Sequence, residues 1–125
     1  MGVHIVVDLF GVDPRLISTV NVVKPILDEA IEKSKLVVIN SFFHQFNPHG
    51  VSCVYLLATS HVSLHSWPEI GYAALDIFVC DKDEKAFKFL EVVKEKFKPE
   101  KIETQIIKRD YYEQNKEACD TRTSD

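Results

Sequence analysis

The balance of helical and extended patterns is the feature that most limits the fold of this chain of 125 residues. Only residues 21–35 and 83–97 repeat apolar side chains at helical spacing, whereas many other runs are rich in β-branched and aromatic residues. Runs of consecutive strands with few helices favour an α+β fold, with a mostly antiparallel sheet and two main helices on one face. The predicted strands are residues 3–10, 36–46, 51–58, 62–67, 72–80 and 101–109.

The second face of this predicted sheet has no element to cover it. Two helices cannot cover both faces of a sheet of this size, and a large exposed apolar face is typical of an interaction site. We therefore expect either a ligand held between two sheets or a homodimer.

Local signals set the expected ends of the helices. Asp13 followed by Pro14 is typical of a helix cap with proline in the first turn. Asp81 and Glu84 have the spacing of a capping box before the second main helix. Residues after 110 are polar, and we expect them to fray. The predicted buried stripe of the second main helix is Ala86, Phe89, Leu90, Val93 and Phe97.

Composition narrows the possible functions. The length suits one domain over residues 1–125, and 46% apolar with 27% charged residues is an ordinary globular balance. A net charge of −4 gives no sign of nucleic-acid binding. The chain has neither an apolar stretch of membrane-spanning length nor a recognisable leader, so we expect a cytoplasmic protein without membrane contact. Three cysteines without a Cys-x-x-Cys pair predict neither a disulfide framework nor a thiolate zinc site. The histidine spacing gives no metal signature either, so no metal is expected.

Side chains capable of nucleophilic and acid–base chemistry are concentrated between residues 50 and 80. A serine close to a histidine can be activated as a nucleophile, although no Gly-x-Ser-x-Gly elbow is present. If only the pattern of residues is considered, a purely structural interpretation is favoured over catalysis, because such serine and histidine matches are common by chance. In that interpretation the serines are sheet-surface residues and the histidines are satisfied polar groups. The residues concerned are Ser52, Ser60, His61, Ser63, His65, Glu69, Asp76 and Cys80.

Longer motifs in the same region resemble one known family. The runs SHVSLHSWPE (60–69) and GYAALD (71–76), followed by Cys80, are similar to the core of the prokaryotic S-adenosylmethionine decarboxylase proenzymes. The upstream runs VVDLFG (6–11) and FHQFNPHGVS (43–52) also resemble that family. The resemblance extends to about residue 109 and covers most of the chain. It implies a pyruvoyl-dependent enzyme that forms homodimers, in which two-layer α/β sandwiches pack sheet to sheet and the active sites are shared between the two protomers.

The resemblance implies that the chain cuts itself at the Thr59–Ser60 bond. The Ser60 hydroxyl would attack the carbonyl carbon of Thr59, and β-elimination would then split the chain into residues 1–59 and 60–125. Position 60 would be left as a pyruvoyl group, with release of ammonia. The matching assistants are Ser52, which stabilises the oxyanion at Thr59, and His65, which accepts the proton during elimination. Family members commonly have glutamate where this chain has Thr59.

The same resemblance implies the catalytic cycle and the substrate contacts. The amino group of S-adenosylmethionine would form a Schiff base with the pyruvoyl ketone, which accepts the electrons left by carbon dioxide. Cys80 matches the proton donor, and a thiol with an ordinary pKa of about 8.5 is mostly protonated at neutral pH. Glu69 matches the residue that binds the ribose hydroxyls, and Phe46 matches an aromatic that stacks on adenine. Trp67 is interpreted as structural.

Plainer interpretations of these residues stay open at this point. Cys80 and Cys53 are also compatible with small buried hydrophobes, Glu69 with an exposed turn residue, and Phe46 with core packing. Two other functions compete with the main one. Relatives with the same machinery act on arginine or ornithine, and a small ligand-binding α+β domain would keep the fold without any chemistry.

Overall fold

Residues 2–109, which the computed structural model describes, form one antiparallel sheet with helices packed on a single face. The strands are β1 Gly2–Phe10, β2 Val38–Gln45, β3 Val51–Leu57, β4 His61–Trp67, β5 Tyr72–Val79 and β6 Lys101–Arg109. The helices are α1 Pro14–Ile17, α2 Val20–Ser34 and α3 Asp83–Phe97, and a short 3₁₀ turn covers Pro68–Ile70. The spatial order of the strands is β2-β3-β4-β5-β1-β6, and every neighbouring pair is antiparallel. The predicted α+β architecture is confirmed.

The predicted ends of the elements agree closely with the structure, with one error in capping. Asp13 caps α1 as predicted, because its side chain accepts a hydrogen bond from the Arg15 backbone amide at 3.0 Å. The capping box predicted for α3 is wrong, since the N-cap residue is Lys82 and makes no side-chain cap bond. Asp81 instead accepts a hydrogen bond from the Lys85 ammonium at 2.6 Å, and this pairing lowers the pKa of the carboxyl group. The expected frayed end after residue 110 lies outside the described residues.

The hydrophobic core lies between the sheet and helices α2 and α3. Alternate residues of each central strand point into it, as the period of two in a strand requires. The predicted stripe of α3 is confirmed except at Leu90, which is only partly buried, while Val92 is buried. Within residues 2–109, no helix combines the length and the apolar character needed to cross a membrane. Core residues from both layers include Val3, Ile5, Val7, Leu9, Leu27, Leu64, Leu75, Phe89 and Phe97.

The opposite face of the sheet, called the open face here, is covered by no element of residues 2–109. It carries the other alternate residues of each strand, which the strand register aligns in rows across the sheet. One row joins His4, Phe78 and His61, and a parallel row contains His65 and Ser52. Apolar side chains are exposed on this face too, including Phe42 (67% exposed), Val54, Leu56 and Ile107. An uncovered face is therefore present as predicted, and its pairing with a second copy stays a prediction.

Candidate active site

A serine and a histidine on adjacent strands form the centre of the site. Ser52 of β3 lies directly opposite His65 of β4, and the Ser52 Oγ is 2.7 Å from His65 Nδ1. Two residues opposite each other in an antiparallel pair share one face of the sheet, so both side chains lie on the open face. A hydroxyl within hydrogen-bond reach of an imidazole is the arrangement needed for proton transfer between them.

This pair lies in a cavity of about 260 Å³ on the open face. The cavity brings together four residues that the sequence singled out: Ser52, His65, Glu69 and Phe46. Glu69 is more than half exposed, and its Oε1 is 3.5 Å from the Nε2 of His49, which the sequence left without a role. The lining is completed by Ser66 and Trp67.

Buried hydrogen bonds fix the strands that carry the cavity. Ser66 is buried, and its hydroxyl accepts a bond from the Val51 amide at 2.9 Å and donates one to the Ile17 carbonyl at 2.7 Å. The turn that carries Glu69 ends at Gly71, whose φ of +63° is in the left-handed region that favours glycine. A Cβ at Gly71 would lie 3.0 Å from the Val12 carbonyl oxygen, so a larger residue would disturb this turn.

Phe46 is held at the mouth of the cavity by its neighbour along the chain. The Gln45 side chain accepts a bond from the Val20 amide at 2.7 Å and donates one to the Ser18 carbonyl at 2.9 Å. It thereby ties the end of β2 to the start of α2. The Phe46 ring is 45% exposed, which rules out core packing as the reason for an aromatic residue here.

The predicted cleavage bond lies in the tight connection between β3 and β4. The Leu57 amide donates a hydrogen bond to the Ser60 carbonyl at 2.9 Å, so Ala58 and Thr59 form the tip of the hairpin. The Ser60 Oγ is buried and has no hydrogen-bond partner among residues 2–109. An unsatisfied buried hydroxyl costs free energy, and such groups in folded proteins call for a functional or structural explanation.

Ser60 and the Ser52–His65 pair are not brought together within one protomer. Leu56, four residues beyond Ser52 along β3, lies opposite His61 at the start of β4. At 3.2–3.4 Å per residue, the pair is about 13 Å from the strand position next to Ser60. The sequence did not predict this separation.

Cys80 lies at the same end of the sheet as Ser60. It follows β5 directly, two residues beyond Phe78, which pairs with His61. Cys80 is 7% exposed and is disulfide-bonded, which the number and spacing of the cysteines did not predict. Cys53 is a free thiol on the core side, and burial raises its pKa to about 12, in agreement with its interpretation as a small buried hydrophobe.

A histidine pair next to Ser60 was also left without a role by the sequence. The rings of His61 and His4 meet edge to face with centroids 6.3 Å apart, and both contact Phe78. His4 Nε2 is buried and finds no hydrogen-bond partner within residues 2–109, although it lies 3.5 Å from Asp76 Oδ1. Burial, followed by the nearby His4, lowers the pKa of His61 and so favours the neutral ring.

Trp67 was interpreted as structural, but the structure places it on the wall of the cavity. Its ring is 42% exposed and lies 6.3 Å from the ring of His65. The signal available in the sequence was strand alternation, since residues 61, 63, 65 and 67 share one face. For a metal, residues 2–109 contain no group of three or more His, Cys, Asp or Glu arranged to hold an ion.

Comparisons with known proteins all point to one family. A family model described as S-adenosylmethionine decarboxylase matches residues 3–110. S-adenosylmethionine decarboxylase proenzymes from a Sulfurihydrogenibium species and from Archaeoglobus fulgidus are 46% and 43% identical over 109 residues. Those matches cover 87% of this chain in both cases, and 82% and 97% of the relatives. The crystal structure of the adenosylmethionine decarboxylase from Aquifex aeolicus superposes with a TM-score of 0.87 at 37% identity. This superposition covers 90% of this chain and 93% of that one.

Proposed function

Because this chain belongs to the S-adenosylmethionine decarboxylase family, we propose that it is a self-processing carboxy-lyase that releases carbon dioxide from S-adenosylmethionine. The observation that carries the proposal is the Ser52–His65 pair in one cavity with Phe46 and Glu69. A binding module has no need for a hydrogen-bonded serine and histidine at the same place as an exposed aromatic ring and a carboxylate.

The cleavage step uses only protein groups, with Ser52 and His65 supplied by a second copy of the chain. The Ser60 Oγ attacks the carbonyl carbon of Thr59, the amide bond breaks, and the two residues are joined by an ester. His65 then accepts the proton from the Ser60 Cα, and the ester bond breaks with the Thr59 carboxylate as the leaving group. The Ser52 hydroxyl donates to the oxyanion that forms on the Thr59 carbonyl during attack.

The residues around position 60 fit the pyruvoyl group that this cleavage would leave after hydrolysis and loss of ammonia. The buried Ser60 hydroxyl has no hydrogen-bond partner within the described range, so nothing there competes for the reacting atom. When formed, the group supplies a carbonyl that takes up the substrate amine and accepts the electrons left when carbon dioxide departs. Cys80, at the same end of the sheet, donates a proton to the α-carbon once its disulfide has been reduced to the thiol.

The substrate is bound by residues at the opposite end of the open face. Phe46 offers an exposed aromatic face for the adenine ring and for the sulfonium charge. Glu69 offers two carboxylate oxygens to the ribose diol, and His49 faces that carboxylate at 3.5 Å. The product is then an aminopropyl donor for spermidine synthesis, made in the cytoplasm.

Two half-sites at opposite ends of the strands support a homodimer as the working unit. Ser60 and Cys80 lie at one end, and the cavity with Ser52 and His65 lies about 13 Å away along the strands. A two-fold axis through the open face would place one end of each protomer against the other end of its partner. The cavity of about 260 Å³ is also smaller than is usual for a nucleoside-sized ligand, as expected for a half-site.

Intact mass spectrometry of the purified protein tests the proposal. Wild-type chain is expected as two fragments, residues 1–59 and a longer piece without a free amino terminus. Borohydride with S-adenosylmethionine should add the decarboxylated substrate covalently to the longer piece. Ser60→Ala should stay as one inactive chain, whereas the matched variant Ser63→Ala, on the face of β4 that carries His65, should cleave normally. A wild-type chain that is intact and active, and that borohydride does not inactivate, would contradict the pyruvoyl mechanism.

A further inference from the structure

Trp67 is one of two exposed aromatic residues that line the cavity, the other being Phe46. An indole is useful as a binding wall only if its plane is fixed, because a freely rotating ring loses entropy when a ligand binds. Trp67 is the last residue of β4, and its ring is not enclosed by the core. Its orientation must therefore come from contacts on the open face.

A stack of three aromatic rings supplies those contacts. The ring of Tyr72 lies 5.4 Å from the Trp67 ring with an angle of 24° between the planes. On its other side, the ring of Phe10 lies 5.5 Å away at 28°, and the Lys101 ammonium is 5.7 Å from the Phe10 centroid. These residues belong to β4, β5, β1 and β6, so the stack crosses four strands in one row.

One hydrogen bond fixes the middle ring of the stack. The Tyr72 hydroxyl donates to Asp8 Oδ1 at 2.5 Å. This bond, with a smaller contribution from burial, raises the pKa of Tyr72 to about 12, so the phenol stays a donor at every physiological pH. The Asp8 carboxylate lies on β1, two positions from Phe10. The Tyr72–Asp8 hydrogen bond, called the brace here, is therefore part of the rigid centre of the sheet.

We propose that Asp8 and Tyr72 are positioning residues that hold the Trp67 ring as a fixed wall of the substrate cavity. The planar purine base of the substrate would pack against this wall. This inference rests on the proposed function and deepens it, because Asp8 and Tyr72 lie outside the cavity and yet would influence which ligand it binds. The carboxylate orients the phenol, the phenol ring orients the indole, and the indole limits the cavity to flat aromatic ligands.

The chain offers a matched control for this brace. Tyr55 also donates its hydroxyl to an aspartate at 2.5 Å, but the acceptor is Asp28 on α2, on the helix side of the sheet. Tyr55→Phe and Tyr72→Phe therefore remove the same kind of bond from opposite faces. Only the second removal is expected to affect Trp67.

Fluorescence gives a direct readout, because Trp67 is the only tryptophan in the sequence. Adenosine is the probe, titrated into purified full-length wild type, Tyr72→Phe, Tyr55→Phe and Asp8→Asn. In Tyr72→Phe we expect faster anisotropy decay of Trp67 without ligand, and adenosine affinity weaker by roughly two- to tenfold, the range for one lost hydrogen bond. KM for S-adenosylmethionine should rise by a similar factor with kcat and chain cleavage unchanged, and Asp8→Asn, which keeps an acceptor oxygen, should lie between.

The outcomes separate this inference from the proposed function. If Tyr72→Phe matches wild type in both Trp67 anisotropy and adenosine affinity, the brace is disproved whether or not the enzyme decarboxylates. Equal losses in Tyr55→Phe and Tyr72→Phe would also overturn it, because the effect would then be one of general stability. If Trp67 loosens only in Tyr72→Phe but wild type releases no carbon dioxide from S-adenosylmethionine, the brace stands and the proposed function fails.

Discussion

His61 and His65 lie on the same face of β4, yet the first lies opposite Leu56 and the second opposite Ser52. Four strand positions thus separate the hydrogen-bonded Ser52–His65 pair from the residue that follows Ser60, a distance of about 13 Å. A side chain cannot bridge that distance within a sheet. If His65 acts on position 60, it acts on the position 60 of another copy.

Mixed dimers test that relationship. We expect co-expressed Ser60→Ala and His65→Ala chains to complement each other, because the first carries His65 and the second carries Ser60. With random pairing, about half of the His65→Ala chains should be cut, measured by mass spectrometry with tags that distinguish the chains. Neither variant alone should be cut beyond a slow background.

A double variant provides the control for this experiment. Chains carrying both Ser60→Ala and His65→Ala, mixed with His65→Ala chains, should give no cleavage. If His65→Ala chains stay intact even beside Ser60→Ala chains, the two half-sites do not meet across a dimer.

The exposed apolar side chains of the open face predict where a charge would separate the protomers. Phe42→Asp should weaken the dimer at least about tenfold, since a buried unpaired carboxylate is costly, and chain cleavage should slow in parallel. Sedimentation velocity over a range of concentrations measures the shift. Phe87→Asp is the matched control, because Phe87 is exposed on α3, on the helix side of the sheet. Equal effects of the two variants would argue against the open face as the interface.

The disulfide at Cys80 predicts activity that depends on reductant. Only a thiol can donate a proton, so decarboxylation should rise when the matured protein is reduced. Cys80→Ser should lower kcat by about 10²- to 10⁴-fold, the usual contribution of a proton donor, and should no longer respond to reductant. Cys53→Ala serves as the control, because Cys53 is buried on the other face. Full activity of Cys80→Ser would remove Cys80 from the mechanism.

The pKa of His61 predicts a fall in stability on acidification. Burial and then His4 and Arg109 lower this pKa, outweighing the opposite effect of Asp76, so the unfolded chain binds the proton more readily than the folded one. The contribution to stability is therefore complete above a pH of about 6.5 and is lost as the pH falls through the lowered folded pKa.

Thermal unfolding in the uncut Ser60→Ala background measures this effect. Between pH 7 and pH 5, His61→Phe should lose less stability than its parent. His44→Gln, at an exposed position of β2, should behave like the parent. An identical pH dependence in all three proteins would show that His61 does not titrate in this window.

Strand positions were predictable because burial alternates along the central strands β1, β3, β4 and β5, and the two long helices because their apolar residues recur at helical spacing. The placement of His61, Ser63 and His65 on one face followed from the same rule. The cap of α3 was not predictable. The Asp81 carboxylate can bind either the backbone amides at the start of α3 or the Lys85 ammonium, and the spacing of the residues does not show which of the two it prefers.

The distance between the half-sites depends on strand register, which local sequence patterns do not determine. The hairpin tip at Ala58 and Thr59 sets which residue of β3 lies opposite His65, and this single choice determines every pair between the two strands. The role of Trp67 was hidden for a related reason. Its stacking partner is Tyr72 of the next strand, and Tyr72 in turn stacks on Phe10 of β1, which is distant in sequence, so the full stack exists only after folding.

The position of β1 has a consequence for the protein after cleavage. Residues 1–59 contain β1, β2 and β3, while β4, β5 and β6 follow Ser60, and β1 is inserted between β5 and β6. The two pieces would therefore be interlocked, with β1 held by backbone ladders on both edges. Once denatured, the two pieces must find each other by diffusion before the sheet can form, so formation of the sheet would depend on concentration, whereas the precursor would form its sheet within one chain.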